Sequence, residues 1–571
     1  MRGRFTKAAF VAGAAVAVAI GVPVSAAATH NEHAYGATNG SPIKHVLLIS
    51  VDGLHQSDLN WYIANHPDSE LAKLASGGAQ YSNAQTSDPS DSDPGGTALM
   101  TGGDPRATGV YYDVEYNHNL YEAGTTSCNG QPTGADVVYD SPDDLNVTRL
   151  DAGQGIPGLQ SDPSKIMQMT GNPQTVLNPA TFPVDPSTCQ PIWPHSYLKV
   201  NTTFEIAHNA GLRTAWSDKH PVYESFNGPS GNGIDDLFTP EIDSNAIEPN
   251  GTPYPGGIAW TGDNAATRQY DSYKVQAIIN EINGYDHTGK GRKVGTPAIF
   301  GMNFQTVSTA EKLFSSEATI GGPTLAGGYL PGTTTPGPLL KSALDYINAQ
   351  LQAMDKEIQA QGLANQTAII LTAKHGQSPQ DPNLLTRIDD GPIINAVNAA
   401  WTAAHPGAGN LIVAGTDDDL WQSYLSDRSQ AAADFVKNYL WTHPATGVTY
   451  SGGTRTLQHS GLAQIYAGQA VAKFFGVPTS DPRHPDVFGR VQVGVVYTGG
   501  TKIAEHGGDN PADRSVPLVV YAPGAVPAAQ NATSVETTQV APTILQLLGL
   551  DPQALQAVQI EGTQVLPGIG G

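Results

Sequence analysis

Two cysteines among 571 residues are too few to staple a fold of this size, so a disulfide-rich scaffold is excluded. Long apolar runs are also missing. After about Val24 no segment is apolar and long enough to cross a bilayer. Basic residues are scarce: 29 Lys and Arg stand against 52 Asp and Glu, a formal net charge of −23. That balance excludes a nucleic-acid-binding face built on basic side chains. An anionic substrate would need positive charge concentrated locally, from metal ions or a few well-placed lysines. Hydrophobic residues make up 39% and charged residues 14%, so the chain has enough apolar material to fold and does not read as disordered.

The first residues are basic, Met1-Arg-Gly-Arg-Phe-Thr-Lys7, and an Ala/Val-rich run follows to about Val24. The small-residue stretch Val24-Ser-Ala26 then offers a cleavage site. Basic, apolar, then small is the pattern of a secretory signal peptide, here residues 1–28. A membrane anchor is the competing reading, but the run is short and no basic stop follows it. Residues 29–41 read as a polar, flexible lead-in. The expected product is an exported protein, secreted or periplasmic, without a membrane span once the signal is removed. In such a compartment Cys128 and Cys189 are expected to pair. The length exceeds an ordinary single domain, so residues 42–571 read as one large domain. Stretches near 113–198 and 225–262, poor in periodicity, read as loop-rich insertions.

Apolar runs alternate with helical patterns along the chain. Strands are expected at 45–51, 212–216, 298–304, 367–371 and 516–521. Helices are expected at 69–76, 203–211, 265–283, 337–361 and 535–550. The stripe Leu340, Leu344, Ile347, Leu351, Met354, Ile358 has helical spacing. Strand–helix alternation predicts an α/β fold, a mostly parallel central sheet with helices on both faces. In such sheets ligands bind beyond the carboxyl ends of the strands.

Those ends carry the polar residues. Asp52-Gly53 follows the first strand and Asp218-Lys219-His220 a later one. Lys374-His375-Gly376 follows the strand at 367–371, and His506-Gly507-Gly-Asp509 precedes the last strand. Any one of these Asp or Ser residues alone reads equally well as a helix cap. Together they point to one composite site, and Asp with neutral His suits Zn²⁺ or another divalent metal. Ser92 lies in a Ser/Asp/Pro/Gly loop before a small-residue helix, where a hydroxyl can attack phosphorus while helix N–H groups hold the anion.

The chain resembles the alkaline phosphatase superfamily from about residue 43 to 567, nearest to the type I phosphodiesterase/nucleotide pyrophosphatase branch. Asp52-Gly53 matches that branch's first metal aspartate. Thr101-Gly102 and Pro105-Arg-Ala-Thr-Gly109 match the nucleophile segment, where the nucleophile precedes Thr-Gly by nine residues, which selects Ser92. His375-Gly376 and His506-Gly507 match the late metal histidines. Gln539-Val-Ala-Pro-Thr-Ile-Leu545 and Glu561-Gly-Thr563 resemble the family's ending. The resemblance implies an alkaline-phosphatase-like fold and a metal-assisted hydrolase of small phosphate esters, a phosphodiesterase by preference. Asp52, His375, His506 and Asp509 would be metal ligands.

Departures from the pattern are specific. Lys374 stands where the family has Asp. Asn303 and Val307 (or Gln305 and Thr309) stand where it has Asp and His. Gly95-Gly96 replaces an expected oxyanion donor. One divalent cation, Zn²⁺ first, is therefore expected, with the second position lacking ligands. Lys374 would supply the missing charge, and Lys219 and His220 would contact the ester or move protons. A sulfatase is the alternative enzyme, but Gly96 occupies the arginine position of that signature. A decayed binding protein on the same fold is the non-enzymatic alternative.

Overall fold

The computed structural model describes residues 42–416 and 418–569. The expected signal peptide and lead-in lie outside the described residues. Eight strands form the central sheet: β1 (His45–Val51), β2 (Ala79–Tyr81), β3 (Ala215–Ser217), β4 (Asp236–Phe238), β5 (Ile299–Phe304), β6 (Thr367–Thr372), β7 (Val519–Tyr521) and β8 (Ala529–Asn531). Their order is β8-β2-β7-β6-β1-β5-β3-β4. Strand β7 runs antiparallel to both its neighbours, and the other pairings are parallel.

The sheet is covered on both faces, and strand parity decides which residue meets which layer. From β1, Val46 and Leu48 enter one core with Leu99, Phe204 and Ile544. Leu47, Ile49 and Val51 enter the other with Leu59, Ile278 and Leu344. The first layer thus carries α2 (Ser92–Thr101), α3 (Thr203–Asn209) and α7 (Val540–Leu547). The second carries α1 (Gln56–Asn65), α4 (Asn264–Ile282), α5 (Thr306–Lys312) and α6 (Pro338–Ala360). The α6 stripe read from the sequence is buried along its whole length. Each such side chain contributes about 1.5–3 kcal/mol by leaving water.

Register places the site. Ser50 of β1 lies opposite Asn303 of β5 and Thr372 of β6, and Met302 of β5 lies opposite Ser217 of β3. Asp52, Gln305, Lys374 and Lys219, each two residues past one of these positions, therefore leave the sheet along one edge.

Two regions differ from the sequence reading. The stretch 225–262 contains β4, a three-residue edge strand too short to show periodicity. Residues 386–497 build two further four-stranded sheets with a separate core around Trp421, Val436, Leu440 and Val487. Their strands are mostly short and antiparallel, so no long apolar run announced them. In 113–198, Cys128 and Cys189 are disulfide-bonded with Cα atoms 5.7 Å apart.

Candidate active site

At the N-terminus of α2, Asp91 is the cap and Ser92 the first helical residue. Ser92 is buried, and its Oγ accepts a hydrogen bond from Lys219 Nζ at 2.8 Å. His375 Nε2 lies 3.3 Å from the same oxygen. The His375 Nδ1 atom lies 2.9 Å from the Gly376 carbonyl oxygen. Donation to that carbonyl fixes the tautomer and leaves the Nε2 lone pair facing Ser92.

Asp52 sits beside them, wholly buried. Its Oδ2 accepts from Gln305 Nε2 at 2.7 Å and Asn303 Nδ2 at 3.1 Å. Lys374 Nζ lies 3.7 Å away, Lys219 Nζ 3.9 Å and His375 Nε2 3.5 Å. Burial pushes the Asp52 carboxyl up, but the ammonium groups of Lys374 and Lys219 hold it well below the usual range. Burial likewise opposes charge on Lys219, yet Asp52, Asp93 and Asp218 raise its pKa, so the ammonium persists. Lys374 Nζ also contacts Asp218 at 3.4 Å and lies over the Tyr223 ring at 4.7 Å.

A further layer fixes the end of β5. Asp271 accepts from the backbone N–H groups of Gln305 and Thr306, both at 2.9 Å. Buried Lys274 donates to the Asn303 carbonyl and pairs with Asp271 at 3.1 Å. That bracing holds the Asn303 and Gln305 amides on Asp52.

Gly95 and Gly96 have a packing reason. A Cβ on Gly95 would stand 2.1 Å from the Lys374 carbonyl oxygen, and one on Gly96 2.6 Å from the Phe226 ring. Only glycine lets α2 close onto the end of β6. These positions offer close approach where an oxyanion-holding side chain was expected.

His506 Nδ1 lies 2.9 Å from Asp91 Oδ1, and its ring centroid is 4.0 Å from that of His375. Burial first, and then the nearby Lys312, push its pKa well down, so the imidazole stays neutral. Asp52 Oδ1 is buried without a hydrogen-bond partner, and Asp91 Oδ1 and His506 Nδ1 face each other. The residue types suit a divalent cation, but as they stand the three do not come within ligand distance of one another as a set, and His506 groups instead with Asp418 and Glu505, ligand atoms within 4.8 Å. A second cation at the Asn303 position does not fit. The amides there donate to Asp52, and Val307 is a buried apolar side chain.

The structure thus gathers six of the eight residues expected from the sequence: Asp52, Ser92, Lys219, Lys374, His375 and His506. Asp509 is not with them. Arg490 at 2.5 Å and Arg514 at 3.4 Å hold its carboxylate, so it is not available to a metal beside His506. His220 is not at the reacting group either. Its Nδ1 lies 2.9 Å from both Glu241 oxygens, and its ring stacks on Tyr223, on whose ring Lys374 rests. Missed in the sequence were Asp91 and Tyr223, along with the amides of Asn303 and Gln305 as ligands of Asp52, while Asp218 was placed on the polar strand edge without a role of its own. Asp91 and Asp218 directly precede Ser92 and Lys219, which was the one local signal.

The site is closed: Asp52, Ser92, Lys374 and His375 are at most 1% exposed. Three clefts of about 620, 790 and 560 Å³ lie elsewhere, lined by other residues. Lys219, its side chain 14% exposed, is the most open of the group.

The fold is that of solved phosphatases and phosphodiesterases. The crystal structure of alkaline phosphatase PafA superposes with a TM-score of 0.55 at 12% identity, covering 93% of this chain and all of that one. Murine ectonucleotide pyrophosphatase/phosphodiesterase 5 gives 0.50 at 11% identity, over 92% of this chain and 97% of that one. An inactive variant of that murine protein was solved in complex with AMP, and it gives the same TM-score at 10% identity over 93% and 97%. No curated protein sequence matches the chain. The family model for type I phosphodiesterase/nucleotide pyrophosphatase matches residues 46–412. The chain therefore belongs to the type I phosphodiesterase/nucleotide pyrophosphatase family and is a phosphoric ester hydrolase.

Proposed function

We propose that the protein is an exported phosphodiesterase with Ser92 as nucleophile. The observation that carries the reading is the 2.8 Å contact of Lys219 Nζ with Ser92 Oγ, inside a buried group containing Asp52, Lys374 and His375. An ammonium at that distance stabilises the alkoxide over the alcohol. The Ser92 proton passes to His375 Nε2, whose lone pair faces it. Oγ then bonds to phosphorus, the bond to the leaving oxygen breaks, and that oxygen takes a proton from water. Water then attacks the phosphoserine, its proton passing to the hydroxide left by the first step, and His375 returns its proton to Oγ as the O–P bond breaks, which releases the product and restores Ser92. Lys219 and Lys374 face the charge that grows on the phosphoryl oxygens.

Asp91 and His506, 2.9 Å apart, are the residues that would hold a divalent cation, Zn²⁺ by its ligand preference, with Asp52 joining them only if the side chains draw together, and His375 acts on the proton rather than on the metal. Such a cation would act as a Lewis acid toward the phosphoryl group. A nucleotide-derived diester is the proposed substrate, because its hydrolysis releases a nucleoside monophosphate, the class of molecule with which the murine relative was solved. A substrate approaches past Lys219, whose four-carbon stem can swing.

The test is hydrolysis of bis-p-nitrophenyl phosphate, p-nitrophenyl phosphate and p-nitrophenyl sulfate, with phosphoserine trapping by mass spectrometry. Ser92→Ala is expected to abolish diester turnover and the trapped adduct. His375→Ala should lose activity and keep bound metal, whereas His506→Ala should lose both. Sulfate-ester turnover with formylglycine at residue 92 would replace this reading by the sulfatase one.

A further inference from the structure

Around His220, whose ring stacks on Tyr223, lies a second cluster that the proposed chemistry does not use. Asp140, Asp144, His220 and Glu241 are each at most 5% exposed, and Asp243 opens to solvent beside them. A Nε2 lone pair on His220 faces Asp140 Oδ1 at 3.6 Å, beyond hydrogen-bond distance. The other ring nitrogen is held by Glu241. One ligand atom each from Asp140, His220 and Asp243 falls within 4.8 Å of the others. An independent observation accompanies the cluster. Both carboxylate oxygens of Asp144 are buried with no N–H or hydroxyl donor, and its carboxyl is set against that of Glu241, carboxyl to carboxyl.

Two buried carboxyls in contact repel unless a proton or a cation lies between or beside them. The single basic group among the five is an imidazole already oriented by Glu241. A carboxylate on one nitrogen of a histidine, with the other nitrogen aimed at further carboxylates, is the arrangement by which proteins orient a metal-binding imidazole. Ligands 2.0–2.2 Å from a tetrahedral ion stand about 3.4 Å from one another, close to the 3.6 Å between His220 and Asp140.

We propose that Asp140, His220 and Asp243 bind a divalent cation of the Zn²⁺ or Mn²⁺ class, with Glu241 orienting the imidazole and Asp144 completing the negative pocket. The ion ties the 140–144 turn to the 241–243 turn. Through His220 stacked on Tyr223 it also steadies the ring that carries Lys374. This is a positioning site, separate from the Asp52–Ser92 centre and independent of whether that centre takes a metal.

The test counts metal ions per chain by mass spectrometry after loading with Zn²⁺ or Mn²⁺ alone and desalting. Wild type is set beside Asp243→Asn, His220→Gln and Asp144→Asn, with thermal melts in each metal. Asp243 is exposed, so its variant is the one expected to fold without difficulty. Removal of one equivalent in Asp243→Asn and His220→Gln, with loss of one metal-induced rise in melting temperature, is the expected result. A count unchanged in folded Asp243→Asn and Asp144→Asn would overturn the proposal and leave a proton-sharing acid cluster. A metal count that drops in His506→Ala but not in these variants would assign all metal to the Ser92 centre and overturn it equally.

Discussion

Replacing Lys219 with methionine removes one charge and keeps most of the side-chain volume, so it isolates the ammonium acting on Ser92. At 2.8 Å a full positive and a full negative charge attract by about 6 kcal/mol at an effective dielectric of about 20. Only part of that acts on the barrier. The ammonium is shared with Asp52 at 3.9 Å and is partly solvated, so about half, roughly 3 kcal/mol, is assigned to the transition state. At 1.36 kcal/mol per tenfold, Lys219→Met should lower kcat for bis-p-nitrophenyl phosphate by about 100-fold. The range of about 2.7–4 kcal/mol for losing a preorganised donor at a developing oxyanion brackets the figure. Asp52 keeps Lys374 and two amide donors in the variant, so the melting temperature should move by no more than about 4 °C. The assay is steady-state kinetics across pH beside a circular-dichroism melt. A folded Lys219→Met enzyme with kcat within about threefold of wild type would refute the assignment, because a 2.8 Å contact that leaves the rate unchanged does not act on the nucleophile.

Gly95→Ala puts a Cβ against the Lys374 carbonyl, backbone on backbone, where no side chain can yield. A loss of about 1–3 kcal/mol, read from the urea midpoint, should accompany a fall in activity as α2 is pushed off Lys374. His287 lies 2.6 Å from Asp236 through Nδ1 and 2.7 Å from the Met169 carbonyl through Nε2, an arrangement the doubly protonated ring satisfies. Burial alone would lower its pKa, but Asp236 and that carbonyl raise it above the ordinary value, while His287 holds Asp236 at about 2 against burial. The His287 contribution is therefore complete below about pH 6.5 and lost as pH rises through the raised value, and the Asp236 part is lost only as pH falls toward about 2. Denaturant unfolding at stepped pH should show stability declining above pH 6.5 or so, and His287→Gln should flatten that decline. An unchanged slope would remove the pair from the account.

Much of the fold was legible because strongly periodic segments lie where packing and local pattern agree. The α6 stripe, the apolar runs of β1, β5 and β6, and the Asp-Gly and His-Gly corners at their ends all stand in the structure where the sequence placed them. Short elements were not legible. Strand β4 has three residues, and the sheets of 386–497 pair strands by contacts far apart in the chain. Asp509 shows the limit at the site. Its neighbourhood in sequence is that of His506, yet Arg490, from a separate strand, and Arg514, five residues on, claim its carboxylate.

By itself the sequence determined the class of fold, the strand edge that carries the chemistry, and the loss of a second metal's ligands at Asn303 and Val307. The first two follow from local period and residue type, and the third from the resemblance to the type I phosphodiesterase family. Only the tertiary structure decided which groups act on which. It brought Lys219 to Ser92 across 127 positions, put Asp91 beside His506, and turned His220 away into a separate acidic cluster. The physical reason is that charge and hydrogen bonding act over a few ångströms in a buried site, and register and packing set those distances.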